Sequence, residues 1–523
     1  MAWLLIVVAG VVLFLAGDDR REATALVVGR NLPINVGAVD KRDISANNSP
    51  SAVANPTDPD NLVVSNRVDL PRFSCALHHS LDGGATFRAT TIPFPEGEEA
   101  PPRCFAPDVA FDTAGVLYVS FATLIGFGNQ PNAIWLVKSS DGGRTLSVPT
   151  RVLGRLAFQT RLSADPTRAG RLYLSWLQAE TTANLSFPTP GNPINVARSD
   201  DGGATWGPPV QVNPATRGRV IAPSTAVGGD GAVYVVYLDL GDDALDYHGA
   251  HEGKGGDAYA GKWSLLVARS GDEGSTWAET VVDTRLVPIE RFIVFTPPTP
   301  SIAVGDDHGE VFVSFHDASL GDADVWVWSS GNGGVSFWNR RRVNDTPTGD
   351  GTSQYLPKLS VAPNGRIDVV YYDRRQDSKN LRNSVSLQSS KDDGTTFGPR
   401  VRITDMSFDS RVGFGNARGM PDLGSRLGLV STNDRAMAVW TDTRGGTEAS
   451  NKQDVARGVV AFTPAASLRD PLRLGGAALA GLGVLGTVSS LARRRRRRRR
   501  SGTPGASPEH SSGSGVTAAP FVG

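Results

Sequence analysis

One eight-residue box is written six times along this chain of 523 residues, as SLDGGATF (80–87), SSDGGRTL (139–146), SDDGGATW (199–206), SGDEGSTW (270–277), SGNGGVSF (330–337) and SKDDGTTF (390–397). Successive copies start 59, 60, 71, 60 and 60 residues apart. A fixed period of this size means stacked or radial copies of one supersecondary unit, and it excludes most other architectures.

Each period has the same surroundings. A short Pro-led strand comes first (SPSAVA, APDVAF, APSTAV, TPSIAV, LPKLSV), and an alternating strand follows a polar turn (VLYVSF, RLYLSW, AVYVVY, EVFVSF, IDVVYY). A third strand such as LLVARS runs into the box, and a fourth such as PPVQVN leaves it. Four short strands per unit with period-two patterning predict an all-β chain folded as a β-propeller of four-stranded blades, with the boxes between third and fourth strands. After the sixth box, residues 425–462 match three more strands but lack a fourth. An open strand edge invites aggregation. The N-terminal ATALVVG or LPINVG (23–37) is therefore expected to supply the missing strand and close a seventh blade. Six blades with an accessory unit is the alternative.

The box itself reads as a hairpin corner. Asp82, Asp141, Asp201, Asp272 and Asp392 accept hydrogen bonds from turn amides, the glycines permit positive φ, and the Ser and Thr hydroxyls bridge the loop. The closing aromatic is expected to pack on its blade. Asn332 stands at the Asp position of the fifth copy, which a turn tolerates and an acid catalyst does not.

The two ends differ in character from this body. Residues 2–17 are an unbroken apolar run followed by DDRR, the length of a secretory h-region and short for a membrane span. Residues 1–22 are thus a signal peptide or N-terminal anchor, and 23–465 the exported propeller. After a linker at 466–473, the nineteen residues 474–492 carry no charge and are followed at once by eight Arg (493–500). That order predicts a single transmembrane helix with residues 493–523 as a disordered cytoplasmic tail, and hence a propeller at the outer cell surface. Residues 493–523 hold eight basic residues and one acidic residue, so the rest of the chain carries 45 basic against 52 acidic residues. This mild acidity argues against a nucleic-acid partner. Cys75 and Cys104, in neighbouring repeats, either form one disulfide or remain separate buried thiols.

Loops joining strand two to three, and blade to blade, share the face opposite the boxes, where a ligand site is expected. Alignment of the second strands places Gln178, Asp239, Asp317, Asp373 and Asp442 in register, with Arg374, Arg375 and Arg444 close behind. The innermost strands add Asp108, Arg161, Lys358, Asp422 and Arg426. Carboxylates and guanidinia are thus expected to mix around one axis, or to cap strand ends as local ion pairs. The long loop 238–262 collects Asp242, Asp243, Asp246, His248, His251, Glu252 and Asp257 without a known Ca2+ spacing, so it reads as a solvated lid and no cofactor is expected, with a Ca2+ site as the alternative.

The boxes, at this spacing and between these strands, resemble the Asp-box (BNR) repeats of the sialidase superfamily over residues 45–462. Gly424, Gly428 and Leu429 resemble the Gly-Asp-Tyr-x-Gly-Leu of its closing unit, with Ser425 and Arg426 in place of Asp-Tyr. The resemblance implies a monomeric propeller acting on a glycan, an exo-α-sialidase or another glycoside hydrolase, with a carbohydrate- or protein-binding adhesion propeller as the alternative. It implies three Arg on the substrate carboxylate, a Tyr nucleophile with a Glu partner, and an Asp acid/base. Carried onto this chain, the catalytic candidates are Asp373, Arg374, Arg444, Asp442, Arg161 and Tyr372. Tyr247, Glu180 and Glu252 are further choices for the nucleophile pair. Asp108, Asp239, Asp317, Lys358 and Arg426 are substrate-binding candidates. The family's Arg-Ile-Pro tripeptide is absent.

Overall fold

The computed structural model describes residues 24–35, 44–99, 102–185, 191–243, 259–289, 298–305, 309–413, 423–463 and, further on, 485, 488, 489 and 491. Seven antiparallel sheets form the blades. They span residues 47–90, 104–153, 157–211, 220–286, 301–342, 354–402, and 428–463 joined by 24–33. In the seventh sheet the strand Thr24–Pro33 lies outermost, against Asp454–Thr463, so the chain ends close the ring as expected for ATALVVG. Ile34 N donates to Val455 O at 2.7 Å, and Asn31 Nδ2 reaches Ile403 O of blade six at 3.0 Å. The alternative of six blades with an accessory unit is excluded. The architecture is the seven-bladed β-propeller that the repeat predicts.

The second strands depart from simple in-out alternation. Val311–Asp317 and Ile367–Asp373 are buried at every position, because each blade packs its two faces on two neighbours. One apolar cluster runs from Tyr173 and Leu177 of blade three through Val235 and Tyr237 of blade four to Val313 and Phe315 of blade five. Such blade-to-blade contact, about 25 cal/mol per Å2 of apolar area removed from water, holds the ring together.

Every box is the expected corner. Ser80 Oγ donates to Asp82 Oδ1 (2.7 Å) and accepts from Gly84 N (2.9 Å), while Asp82 accepts from Thr86 N (2.9 Å) and Thr86 Oγ1 (2.6 Å). The same set recurs at Asp141, Asp201, Asp272 and Asp392. Asn332 reproduces it with an amide, donating to Ser336 Oγ at 2.9 Å. Phe87, Trp206, Trp277, Phe337 and Phe397 close their boxes half-buried against the blades.

Cys75 and Cys104 are bonded, with Cα atoms 5.5 Å apart, tying the third strand of blade one to the first of blade two. The segment 474–492 falls outside the described residues except for Leu485, Val488, Ser489 and Leu491, and residues 1–22 fall outside them altogether. Among the described residues no helix is long and apolar enough to cross a membrane.

The boxes make acid stability testable. The Thr205 hydroxyl and amide and the Ser199 hydroxyl hold Asp201 at about 2, below its ordinary 3.8. A carboxyl depressed on folding contributes stability that is complete above pH ~4 and lost as pH falls towards ~2. Asp201→Asn, which copies the Asn332 corner, is expected to shrink the fall in Tm between pH 5 and pH 2.5. Thermal melts with slopes equal to the parent's would refute this account of the corner.

Candidate functional site

A bulge in the innermost strands builds the axis. Pairing with the second strand slips between Asn48 and Ser51, Phe105 and Asp108, Phe158 and Arg161, Ile221 and Ser224, and Tyr355 and Lys358. Ser49, Ala106, Gln159, Ala222 and Leu356 take left-handed backbones there, with φ between 50° and 55°, and Gly424 (φ 88°) does so in blade seven. At Gly424 a Cβ would meet Ser49 N at 2.5 Å, so the join of blade seven to blade one needs glycine. A proline follows the bulged residue in four of the five slipped strands, where the edge position needs no N–H donor. Two residues past each bulge, one side chain is aimed at the axis.

Seven innermost-strand residues, one per blade, meet in a chamber of about 170 Å3: Ser51, Asp108, Arg161, Ser224, Ser301, Lys358 and Arg426. Arg426 reaches across from blade seven to Pro107 O of blade two (2.5 Å), and it lies 3.7 Å from Asp108 Oδ1. Arg161 of blade three donates to Thr299 Oγ1 at 2.9 Å, beside blade five. Asp108 also accepts from Leu162 N at 3.1 Å. Lys358 has no hydrogen-bond or ion-pair partner among the described residues. Three cations thus face one carboxylate. Burial, followed by the nearby guanidinia of Arg426 and Arg161, pulls Lys358 down to about 8, against the attraction of Asp108. Burial and Arg426 likewise lower Arg161 to about 9, so both remain charged at pH 7.

Arg161, Thr299 and Arg426 also line a second cavity, a vestibule of about 310 Å3 on the face opposite the boxes. Phe73, Phe105 and Phe158 give it an aromatic wall, and Arg67 supplies a third guanidinium. Arg67 is buried, paired with Asp69 at 2.8 Å, and sits 4.9 Å over the Phe105 ring. The disulfide fastens this wall, because Phe73 and Phe105 lie beside Cys75 and Cys104.

The aligned second-strand residues lie apart from both cavities. Asp239 pairs with Arg217 (3.2 Å), Asp317 with Arg340, Asp373 with Arg375 (2.7 Å) and Asp442 with Arg444 (2.5 Å), each within or beside its own blade. These are the local strand-end ion pairs. Arg374 is buried and donates to Asn383 Oδ1 (2.9 Å), Asn380 O (2.7 Å) and Ser410 Oγ (2.9 Å). The Tyr372 hydroxyl, buried against blade seven, accepts from Thr441 N at 3.1 Å, and burial pushes it well above the ordinary tyrosine range. Of the sequence candidates, the structure brings together Asp108, Arg161, Lys358 and Arg426. It holds Asp239, Asp317, Asp373, Arg374, Asp442, Arg444 and Tyr372 elsewhere. Tyr247, Glu252 and Asp422 lie outside the described residues, as does the loop 244–258. Among the described residues no group of His, Cys, Asp or Glu is placed to hold a metal ion. Arg67 and the three phenylalanines went unread in the sequence. The Pro-X step after the bulge in blades one, two, four and six was the available signal for the axial residues.

No family model matches the chain, and no curated protein matches it. Solved structures do. A Dyadobacter fermentans protein of unknown function is similar at 16% identity, covering 84% of this chain and 99% of its own, with a TM-score of 0.43. The endosialidase of phage phi92 shows 10% identity over 85% and 70% of the two chains (TM-score 0.46). Hadza microbial sialidase Hz136 shows 12% identity over 77% and 74% (TM-score 0.42).

The chamber carries a stability cost at Lys358. A lysine whose folded value is lowered destabilises fully below pH ~8, and the cost is relieved as pH rises towards ~10.5. Lys358→Met is therefore expected to raise Tm by about 1–3 °C at pH 7 and to lose that advantage by pH 10. A variant less stable than the parent at both pH values would refute it.

Proposed function

We propose that this propeller recognises an acidic sugar at the vestibule. One observation carries the reading: Arg67, Arg161 and Arg426, from three blades, line one cavity with Phe73, Phe105 and Phe158. Planar guanidinia suit a carboxylate, and the aromatic wall suits the apolar face of a sugar ring. The resemblance to sialidases points the same way, with a different trio of arginines from the one expected. Binding without turnover is the first reading, because the described lining of the two cavities holds one carboxylate, Asp108, and no tyrosine. Exo-α-sialidase or related glycoside hydrolysis is the second, with Asp108 as the acid/base. Both concern a glycan ligand and need no cofactor.

The propeller is further proposed to be tethered at the outer face of the cell membrane. Support comes from the uncharged residues 474–492 and the eight Arg that follow. The propeller should then fractionate with membranes and be digested by protease added to intact cells. Recovery in the soluble fraction after lysis would reject the tether.

The glycan reading is tested with full-length protein in detergent, on acidic and neutral glycans and on a fluorogenic α-sialoside. Acidic glycans should bind, and Arg161→Gln should weaken them at least ~10-fold, the loss of one charge-assisted pair. Equal binding of neutral glycans, or an indifferent Arg161→Gln, would sink the reading. Turnover by the parent that is lost in Asp108→Asn would establish the hydrolase.

A further inference from the structure

The chamber beneath the vestibule is a site of its own kind. Its side chains come from all seven blades, and those of blades one, two, three, four and six follow backbone bulges, so they are built into the ring. Arg161, Lys358 and Arg426 oppose the single carboxylate of Asp108, and the other three blades contribute the neutral Ser51, Ser224 and Ser301. The chamber therefore holds a surplus of two positive charges. Asp69 neutralises Arg67 above it, and no described carboxylate other than Asp108 faces Lys358. Uncompensated charge in so confined a space is costly, and an anion entering the chamber offsets that cost.

We propose that the axial chamber is a binding site for a small dianionic oxyanion, of the inorganic phosphate or sulfate class or the head of a phosphate monoester, held by Lys358, Arg161 and Arg426. A single carboxylate would leave one positive charge unmatched, whereas a dianion balances the chamber. Three cations converging from blades three, six and seven suit a tetrahedral group better than a planar one. Ser51 and Ser224, half-buried on the wall, supply hydroxyl donors. The site shares Arg161 and Arg426 with the acidic-sugar reading but does not depend on it, since its test contains no sugar.

Binding is coupled to protonation. Lys358 is lowered to about 8 by burial and by its neighbouring guanidinia. A bound dianion favours the ammonium and takes up a proton near that pH. The pH response is set by Lys358 against Asp108, Arg161 and Arg426, the charged groups that face it.

Sulfate is the probe, because its charge is constant from pH 6 to 9. The full-length protein in detergent is titrated calorimetrically with sodium sulfate at constant ionic strength, with acetate and chloride as monoanion controls. Expected results are sulfate binding at least tenfold tighter than acetate, and affinity that falls as pH rises from 7 to 9. Proton uptake should also show as a dependence of the heat on buffer. Lys358→Met should lose at least tenfold in affinity and all of the pH dependence. Ser224→Asp, which adds a carboxylate and leaves Lys358 in place, should also weaken sulfate. Inorganic phosphate and methyl phosphate then distinguish the free ion from an ester. Sulfate no tighter than acetate, or binding unchanged in both variants, would overturn the proposal. Acidic-glycan binding could still stand in that case, so the two readings fail separately.

Discussion

The pairing of Thr24–Pro33 with Asp454–Thr463 is the interaction on which the rest depends. Each other blade is a local meander whose strands follow one another in sequence. Only the seventh is assembled from both ends of the chain. That ladder works with the bond from Asn47 N to Gln453 O (2.9 Å) to hold blade seven beside blade one. Gly424 packs on Ser49 at that seam, and Arg426 donates to Ser49 O (3.2 Å) and Pro107 O. The cationic axis is therefore a product of ring closure, and any opening of the seam disperses it.

Much of the fold was legible in the sequence because its determinants are local. The box is eight contiguous residues whose hydrogen bonds join positions two to four apart, so period and turn chemistry can be read directly. The closing strand was legible by default, as the one strand-like segment left to pair with an exposed edge. The site was less legible. Asp239, Asp317, Asp373 and Asp442 do stand in register, but on second strands, where a turn and a neighbouring Arg use them. Sequence alignment gives the height of a residue along the axis and not its distance from it. The bulge decides that distance, and a one-residue slip moves a side chain to another face. Asp108, Arg161, Lys358 and Arg426 were read from the innermost strands, where distance from the axis is smallest. Arg67 reaches the vestibule from a second strand of ordinary appearance, and no local pattern marks it.

Charge is distributed by a simple rule. Carboxylates on the box face accept hydrogen bonds from their own turns and are spent on corners. Those at the second-strand ends are spent on arginines nearby. The axis keeps more cations than carboxylates, and it does so where desolvation is severe enough to pull Lys358 down to about 8. Stability is given up there, which is the usual mark of a place kept for a ligand.

The bulge also separates what the chain may change from what it must keep. The left-handed residue, the proline and the ladder on either side define the ring. The side chain two places further on points at the axis, and at Asp108, Arg161, Ser301 and Arg426 it also ties one blade to the next. Seven such places face one another like the wheels of a combination lock, set here to three hydroxyls, one acid and three bases. At Ser51, Ser224 and Lys358, whose side chains make no hydrogen bond among the described residues, a single codon resets the lock while the casing stays intact. A lineage built on this frame can therefore move between ligands of different charge without first passing through an unfolded protein.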